Sequence, residues 1–66
     1  MTIGERIKFL RDEKELTHID LAKHIKCSVG LISLWENNLR KPNADSLITL
    51  AKFFEVTTDY LLGLED

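Results

Sequence analysis

Among the side chains able to do chemistry, those at positions 30, 33, 34 and 37 have a spacing that points to a task. At the helical period, Gly30, Ser33, Leu34 and Asn37 gather on one face, while Ile32 and Trp35 turn the opposite way. Ser33 can donate or accept a hydrogen bond at a base edge, and Leu34 can meet a thymine methyl group. A glycine inside an exposed helix costs about 1 kcal/mol relative to alanine, and close approach of another surface accounts for tolerating it at position 30. None of these residues is the Arg or Gln of the bidentate pairs with guanine and adenine, so direct readout is expected to be modest.

The remaining reactive residues have plainer readings. His18 and His24 are six positions apart and do not share a helix face, and no cysteine or acid stands at ligand spacing, so no metal site is expected. His18 changes charge near neutrality, which suits a pH-dependent phosphate contact. Cys27 is the single cysteine; it reads as a small apolar packing residue, and the lack of an internal disulfide fits a reducing cytoplasm. Glycines occur only at 4, 30 and 63, so there is no phosphate-cradling loop. No serine, histidine and acid form a catalytic set. The expectation is a protein that is not an enzyme and needs no cofactor or small-molecule ligand.

The elements that must position these residues read as all-α, a compact bundle of five helices over about 3–14, 18–25, 29–37, 44–54 and 58–62, making one domain across 1–66. Thr2, Thr17, Ser28, Asn43 and Thr57 each stand at a start as a capping residue, Pro42 forces a break, and Gly63 supplies a left-handed stop. A hydrophobic residue just before a cap tends to pack on the residue four positions into the helix. Leu16 with Leu21, Cys27 with Ile32, Pro42 with Leu47, and Val56 with Leu61 all fit that pattern. The second and third helices are separated by only a few residues and must cross steeply, which is the construction of a helix-turn-helix. In that motif the second helix enters the major groove of DNA.

Sixty-six residues allow one small core. No apolar run approaches a membrane span, and the start, MTIGERIKF, lacks a signal-peptide core. The formal net charge of −2 argues against a polyanionic partner until its distribution is considered. Residues 17–43 carry Lys23, Lys26, Arg40 and Lys41 against Asp20 and Glu36. Residues 44–66 carry Lys52 against Asp45, Glu55, Asp59, Glu65 and Asp66. A basic middle and an acidic end orient the molecule on a polyanion. Phe9, Leu39, Phe53, Tyr60 and Leu64 exceed what the core pattern needs, and Phe53, Tyr60, Leu61 and Leu64, near the end of the chain, read as an isologous dimer patch around the fifth helix. Such a homodimer sets two third helices roughly 34 Å apart on one DNA face. No separate effector domain is expected within these 66 residues, which would leave a signal to act through the dimer interface, another protein or expression level.

The stretches IGERIKFLRDEKELT, LAKHIKCSVGLISLWENNLRKP and DSLITLAKFFEVTTDYLLG together resemble the Cro/phage-repressor (XRE-type) helix-turn-helix regulators over essentially the whole chain. The resemblance implies a five-helix domain that acts as a dimer on an inverted-repeat operator to regulate transcription, with a repressor as the leading reading. It implies that Ser28, Val29, Gly30, Ser33 and Leu34 face bases or the groove. His18, Asn37, Arg40, Lys41 and Asn43 then lie along phosphates. Arg11 and Glu36 match a buried ion pair tying the first helix to the third. Where the family has glycine, this chain has Glu15, Lys26, Asn38 and Glu55. Either those residues adopt a left-handed backbone, at about 1–2 kcal/mol each for the non-Asn cases, or the turns differ. The alternative function is a protein-interaction module, an antitoxin-like or anti-repressor partner, resting on the apolar set Val29, Leu31 and Leu34.

Overall fold

The computed structural model describes residues 1–65, and every regular element among them is a helix: α1 (Ile3–Glu13), α2 (His18–Ile25), α3 (Val29–Glu36), α4 (Ala44–Phe54) and α5 (Thr58–Leu62). α1 and α3 stop one residue short of their expected ends. Each helix starts at the anticipated cap. The hydroxyls of Thr2, Thr17, Ser28 and Thr57 and the amide oxygen of Asn43 accept the backbone N–H three residues on, satisfying a donor that the first helical turn leaves open. At α1 and α2 the bond is reciprocated: Glu5 and Asp20 accept from the backbone N–H of Thr2 and Thr17 at 2.8 and 3.0 Å.

The helix ends follow one rule. Glu15, Lys26, Asn38 and Glu55 have φ of 56°, 56°, 59° and 57°, and Gly63 has 81°. The four non-glycine residues do take the left-handed backbone. In each case the following residue turns its N–H back onto the helix: Leu16 to Arg11 O, Cys27 to Ala22 O, Leu39 to Leu34 O, Val56 to Ala51 O and Leu64 to Asp59 O, at 2.8–3.1 Å. These are Schellman closures, which satisfy carbonyls left open at a helix end.

The core is Ile7, Leu21, Ala22, Ile32, Trp35, Leu50, Ala51, Phe54 and Leu61, with Ile3, Leu10, Ile25, Leu31, Leu47 and Val56 packed partly against it. Every helix therefore contributes to one apolar interior, and no charged or polar residue is fully buried in it. α3 lies against α1 and α2, α4 joins α2 to α5, and α5 returns to α1. Gly4 marks the closest approach. A β-carbon there would collide with the carbonyl oxygens of Trp35 and Glu36, so α1 meets the end of α3 backbone to backbone.

Candidate nucleic-acid interface

α3 is held from below and behind. Ile32 and Trp35 anchor it in the core, 0% and 2% exposed, and the small Ala22 lets α2 pack against it. At its C-terminal end Glu36 gathers three elements. Arg11 donates to it in a fork, Nε to Oε2 at 2.7 Å and Nη2 to Oε1 at 3.0 Å, and Arg11 Nη1 also donates to Leu16 O at 2.8 Å. His18 Nε2 lies 3.0 Å from Glu36 Oε1. The first turn of α2 is thereby tied to the last turn of α3 through His18, the residue that the family resemblance sets along phosphates. With 5% of its side chain exposed, Glu36 depends on these partners. Burial works against its ionisation, but the hydrogen bonds from Arg11 and His18 outweigh burial and hold its carboxyl below the ordinary value. The same fork raises the Arg11 guanidinium above its ordinary value.

Asn38, one of the left-handed residues, adds a second tie: its Oδ1 accepts from Gly4 N at 3.1 Å and its Nδ2 donates to Thr2 Oγ1 at 2.9 Å. In the sequence Asn38 stands at a turn where the family has glycine, and Gly4 follows the Thr2 cap. The tolerance of asparagine for a left-handed backbone was the only signal present, and it carried nothing about a contact 34 positions away.

The outward side of α3 comprises Val29, Gly30, Ser33 and Asn37, preceded by Ser28. Val29 and Gly30 are exposed, and nothing lies within 4 Å of where a Gly30 β-carbon would be. The glycine thus has no intramolecular cause. Ser28 is exposed and its hydroxyl accepts from Leu31 N at 3.1 Å, which leaves its proton free to donate. Asn37 is exposed and its Nδ2 donates to Ser33 O at 2.9 Å. Leu34 departs from the helical projection. Like Ser33 it is half-buried rather than open, and its carbonyl accepts from Leu39 N and Arg40 N at 2.9 and 3.3 Å. Beyond α3, Arg40, Lys41 and Asn43 border a shallow depression with Leu31, Trp35 and Ser46. Arg40 and Lys41 are exposed and form no ion pair among the described residues. Asn43 Oδ1 is committed to capping α4, at 2.8 Å from Ser46 N.

The residues assigned to a dimer patch are not brought together as one open surface. Leu61 is 0% exposed and belongs to the core, which corrects its assignment to an interface. Its place four residues after the Thr57 cap turns it inward beneath Val56. Phe53 is half-buried, with the His24 ring stacked on it at 4.9 Å and Lys14 Nζ 5.6 Å from its centroid. Tyr60 is half-buried, with the Arg6 guanidinium 5.5 Å from its ring. Leu64, at 72% exposure, stands open, joined by Leu62 at 40%, which the sequence reading left out.

The candidate metal ligands stay apart in the same way: His18 turns to Glu36 and His24 to Phe53, and no group of three His, Cys, Asp or Glu side chains able to hold a metal exists among the described residues. Cys27 donates to Ser28 O at 3.4 Å, and burial pushes its thiol up. No helix among the described residues is long and apolar enough to cross a membrane.

Residues 4–66 match the model of a family described as a helix-turn-helix domain. The chain is 41% identical over its full length to the HTH-type transcriptional activator BcrR of Enterococcus faecalis. It is 32% identical, again over its full length, to the HTH-type transcriptional regulator ImmR of Bacillus subtilis. It spans only 32% and 52% of the lengths of those two relatives. Among solved structures, the fold is similar to the c2 repressor of phage P22, crystallised in complex with a synthetic operator. The TM-score is 0.92 with 32% identity, covering 98% of both chains. With this framework, these caps and this match over nearly every residue, the chain belongs to the helix-turn-helix domain family, in its phage-repressor branch.

Proposed function

We propose that this chain is the DNA-binding unit of a transcriptional regulator, acting as a repressor that reads an inverted-repeat operator as a homodimer with α3 in the major groove. The observation that carries this reading is the face of α3. A glycine with no internal cause lies beside an exposed Val29 on a helix whose opposite side is locked into the core, and exposed Arg40 and Lys41 flank it. A helix that must come within van der Waals distance of a groove floor needs a low profile there. The nearby cations meet phosphates. Likeness to a repressor crystallised with a synthetic operator supports DNA as the partner. The alternative of a protein-interaction module draws on the apolar set Val29, Leu31 and Leu34, of which Val29 is exposed while Leu31 and Leu34 are half-buried.

With few cations per copy, specificity on this reading leans on the spacing of two copies and on DNA shape. Leu62 and Leu64 are the exposed apolar residues available at α5 for pairing two copies. Selection from a random pool of duplex DNA at low salt tests the proposal. Enrichment of a palindrome with half-sites about one helical turn apart is the expected outcome. An enriched single half-site would overturn the dimer, and no enrichment would overturn the function.

A further inference from the structure

We infer that His18 makes DNA binding by this chain proton-linked: Glu36 fixes the ring in the tautomer whose open nitrogen is bare, so gripping a phosphate directly requires uptake of a proton. The inference rests on the reading of α3 as the helix in the major groove, and it adds to that reading a response to pH.

The inner nitrogen of the ring comes first. His18 Nε2 lies 3.0 Å from Glu36 Oε1, the same oxygen that accepts from Arg11 Nη2 at 3.0 Å. Glu36 is ionised at neutral pH, its carboxyl held below the ordinary value. An ionised carboxylate accepts and cannot donate, so the bond needs a proton on Nε2. In a neutral imidazole one nitrogen carries the proton and the other is bare. Nδ1 of neutral His18 is therefore a lone pair with no hydrogen to give.

That outer nitrogen is open. Nδ1 has no hydrogen-bond partner among the described residues, and no buried side-chain nitrogen or oxygen among them lacks one. With 33% of the side chain exposed, Nδ1 lies on its solvent edge. The tie through Nε2 holds this edge at the last residue of α3, beside the exposed Asn37. When the second helix of such a pair lies in the groove, the first crosses the sugar–phosphate backbone. A phosphate oxygen against neutral His18 meets a lone pair. Against the imidazolium it meets an N–H donor and a positive charge.

The charges on the neighbouring elements give the sign. Glu36 of α3 is the one group in ion-pair contact with the ring among the described residues, and it favours the protonated form. Arg11 of α1 reaches the ring through the shared carboxylate and opposes that form. Asp20, on the same helix as His18, accepts from Thr17 N. Lys14 and Glu15 in the preceding turn, and Asp45 and Lys52 of α4, form no ion pair with it. A phosphate at Nδ1 adds a second negative charge to that of Glu36. The complex then holds the proton more tightly than the free chain, so affinity is gained as pH falls through the histidine range.

The test selects a duplex from a random pool with the full chain. Its binding to the wild type, His18→Gln and His24→Gln is then measured by calorimetry in buffers of different ionisation enthalpy, which counts protons taken up. Circular dichroism verifies that each is folded. Glutamine keeps an N–H for Glu36 but does not titrate, and His24, exposed and stacked on Phe53, controls for histidine content. The wild type and His24→Gln should take up protons on binding and gain about ten-fold in affinity per copy from about pH 8 to about pH 6. That is the low end for a hydrogen bond to a charged group. His18→Gln should lose this uptake and bind with level affinity across the same range. A second measurement, nitrogen-15 NMR of the His18 ring, needs no variant. The neutral ring of the free chain should carry its proton on Nε2, and on the duplex the ring should titrate about one unit higher, the counterpart of ten-fold in affinity.

Equal proton uptake by the wild type and His18→Gln would overturn the inference, because a merely structural histidine moves unfolding and not uptake. So would a ring whose titration stays put on binding, the mark of a neutral ring bridged to phosphate through water. A proton on Nδ1 of the free neutral ring would overturn it at the first step. These outcomes leave the DNA-binding proposal standing, whereas a wild type that enriches no duplex overturns both.

Discussion

Glu36 shows how much a single side chain can carry in a domain this small. It receives the Arg11 fork from α1 and the His18 ring from α2 while sitting at the end of the helix that presents the candidate surface. Removing its charge leaves the Arg11 guanidinium, 12% exposed, with only the exposed Asp12 carboxylate, 3.4 Å away, as a counter-charge. Glu36→Gln is expected to destabilise the fold by about 3 kcal/mol, measured by urea unfolding at neutral pH. Acid acts on the same group. Its carboxyl is held below the ordinary value in the folded chain, so its stabilisation is complete above the unfolded-state value and drains away as pH falls through the folded one. Glu5 and Asp20 are displaced the same way, each by the backbone N–H of the threonine it caps and then by that threonine's hydroxyl. Stability should fall as pH drops through the carboxylate range, and Glu36→Gln should flatten that fall. An unchanged pH profile in the variant would remove Glu36 from this role.

Three of the junctions between helices are one device repeated. Glu15-Leu16-Thr17, Lys26-Cys27-Ser28 and Glu55-Val56-Thr57 each consist of a left-handed residue, a half-buried apolar residue and a capping hydroxyl. The apolar residue closes the helix behind it through its N–H and packs on the helix ahead. Three residues thus stop one helix and start another, which fixes the angle between α2 and α3 with no slack for a loop. The left-handed backbone is strained for glutamate and lysine. Glu15→Gly, Lys26→Gly and Glu55→Gly should each stabilise the domain by about 0.5–1 kcal/mol in urea titrations, and nearly additively because the sites are separate. Asn38→Gly shares the φ but should instead destabilise by about 1 kcal/mol, because it forfeits the bonds to Thr2 and Gly4. Stabilisation by Asn38→Gly would show that those bonds contribute nothing.

Over the whole molecule, charge is segregated. Arg40 and Lys41 are exposed beside α3, while Asp45, Glu55, Asp59 and Glu65 lie on the exposed surface of the C-terminal third. On the proposed reading, that arrangement would orient an acidic protein on DNA despite its net charge of −2. Arg40→Ala should weaken binding to matched and mismatched sites alike and lower the slope of log affinity against log salt by about one unit. A change in sequence preference with an unaltered slope would place Arg40 at bases instead.

Periodicity and caps made most of the frame legible from the residues alone, because both act within a few positions. The five helix starts, the inward faces of Ile32, Trp35 and Leu50, and the exposed Gly30 all follow from spacings shorter than two turns. The interface was less legible. Ser33 and Leu34 look open on a helical wheel and are half-buried. Leu61 looked available for pairing although its own staple with Val56 turns it inward. Phe53 and Tyr60 sit under cations that come from other helices. The contacts of Glu36 with Arg11 and His18, of Asn38 with Gly4, and of α1 with the backbone of α3 likewise join positions far apart in the chain. Local hydrogen bonds and apolar period determined where the helices run and which way each faces. What each exposed residue can touch was decided by packing between helices, since no local rule carries the position of a side chain on another element.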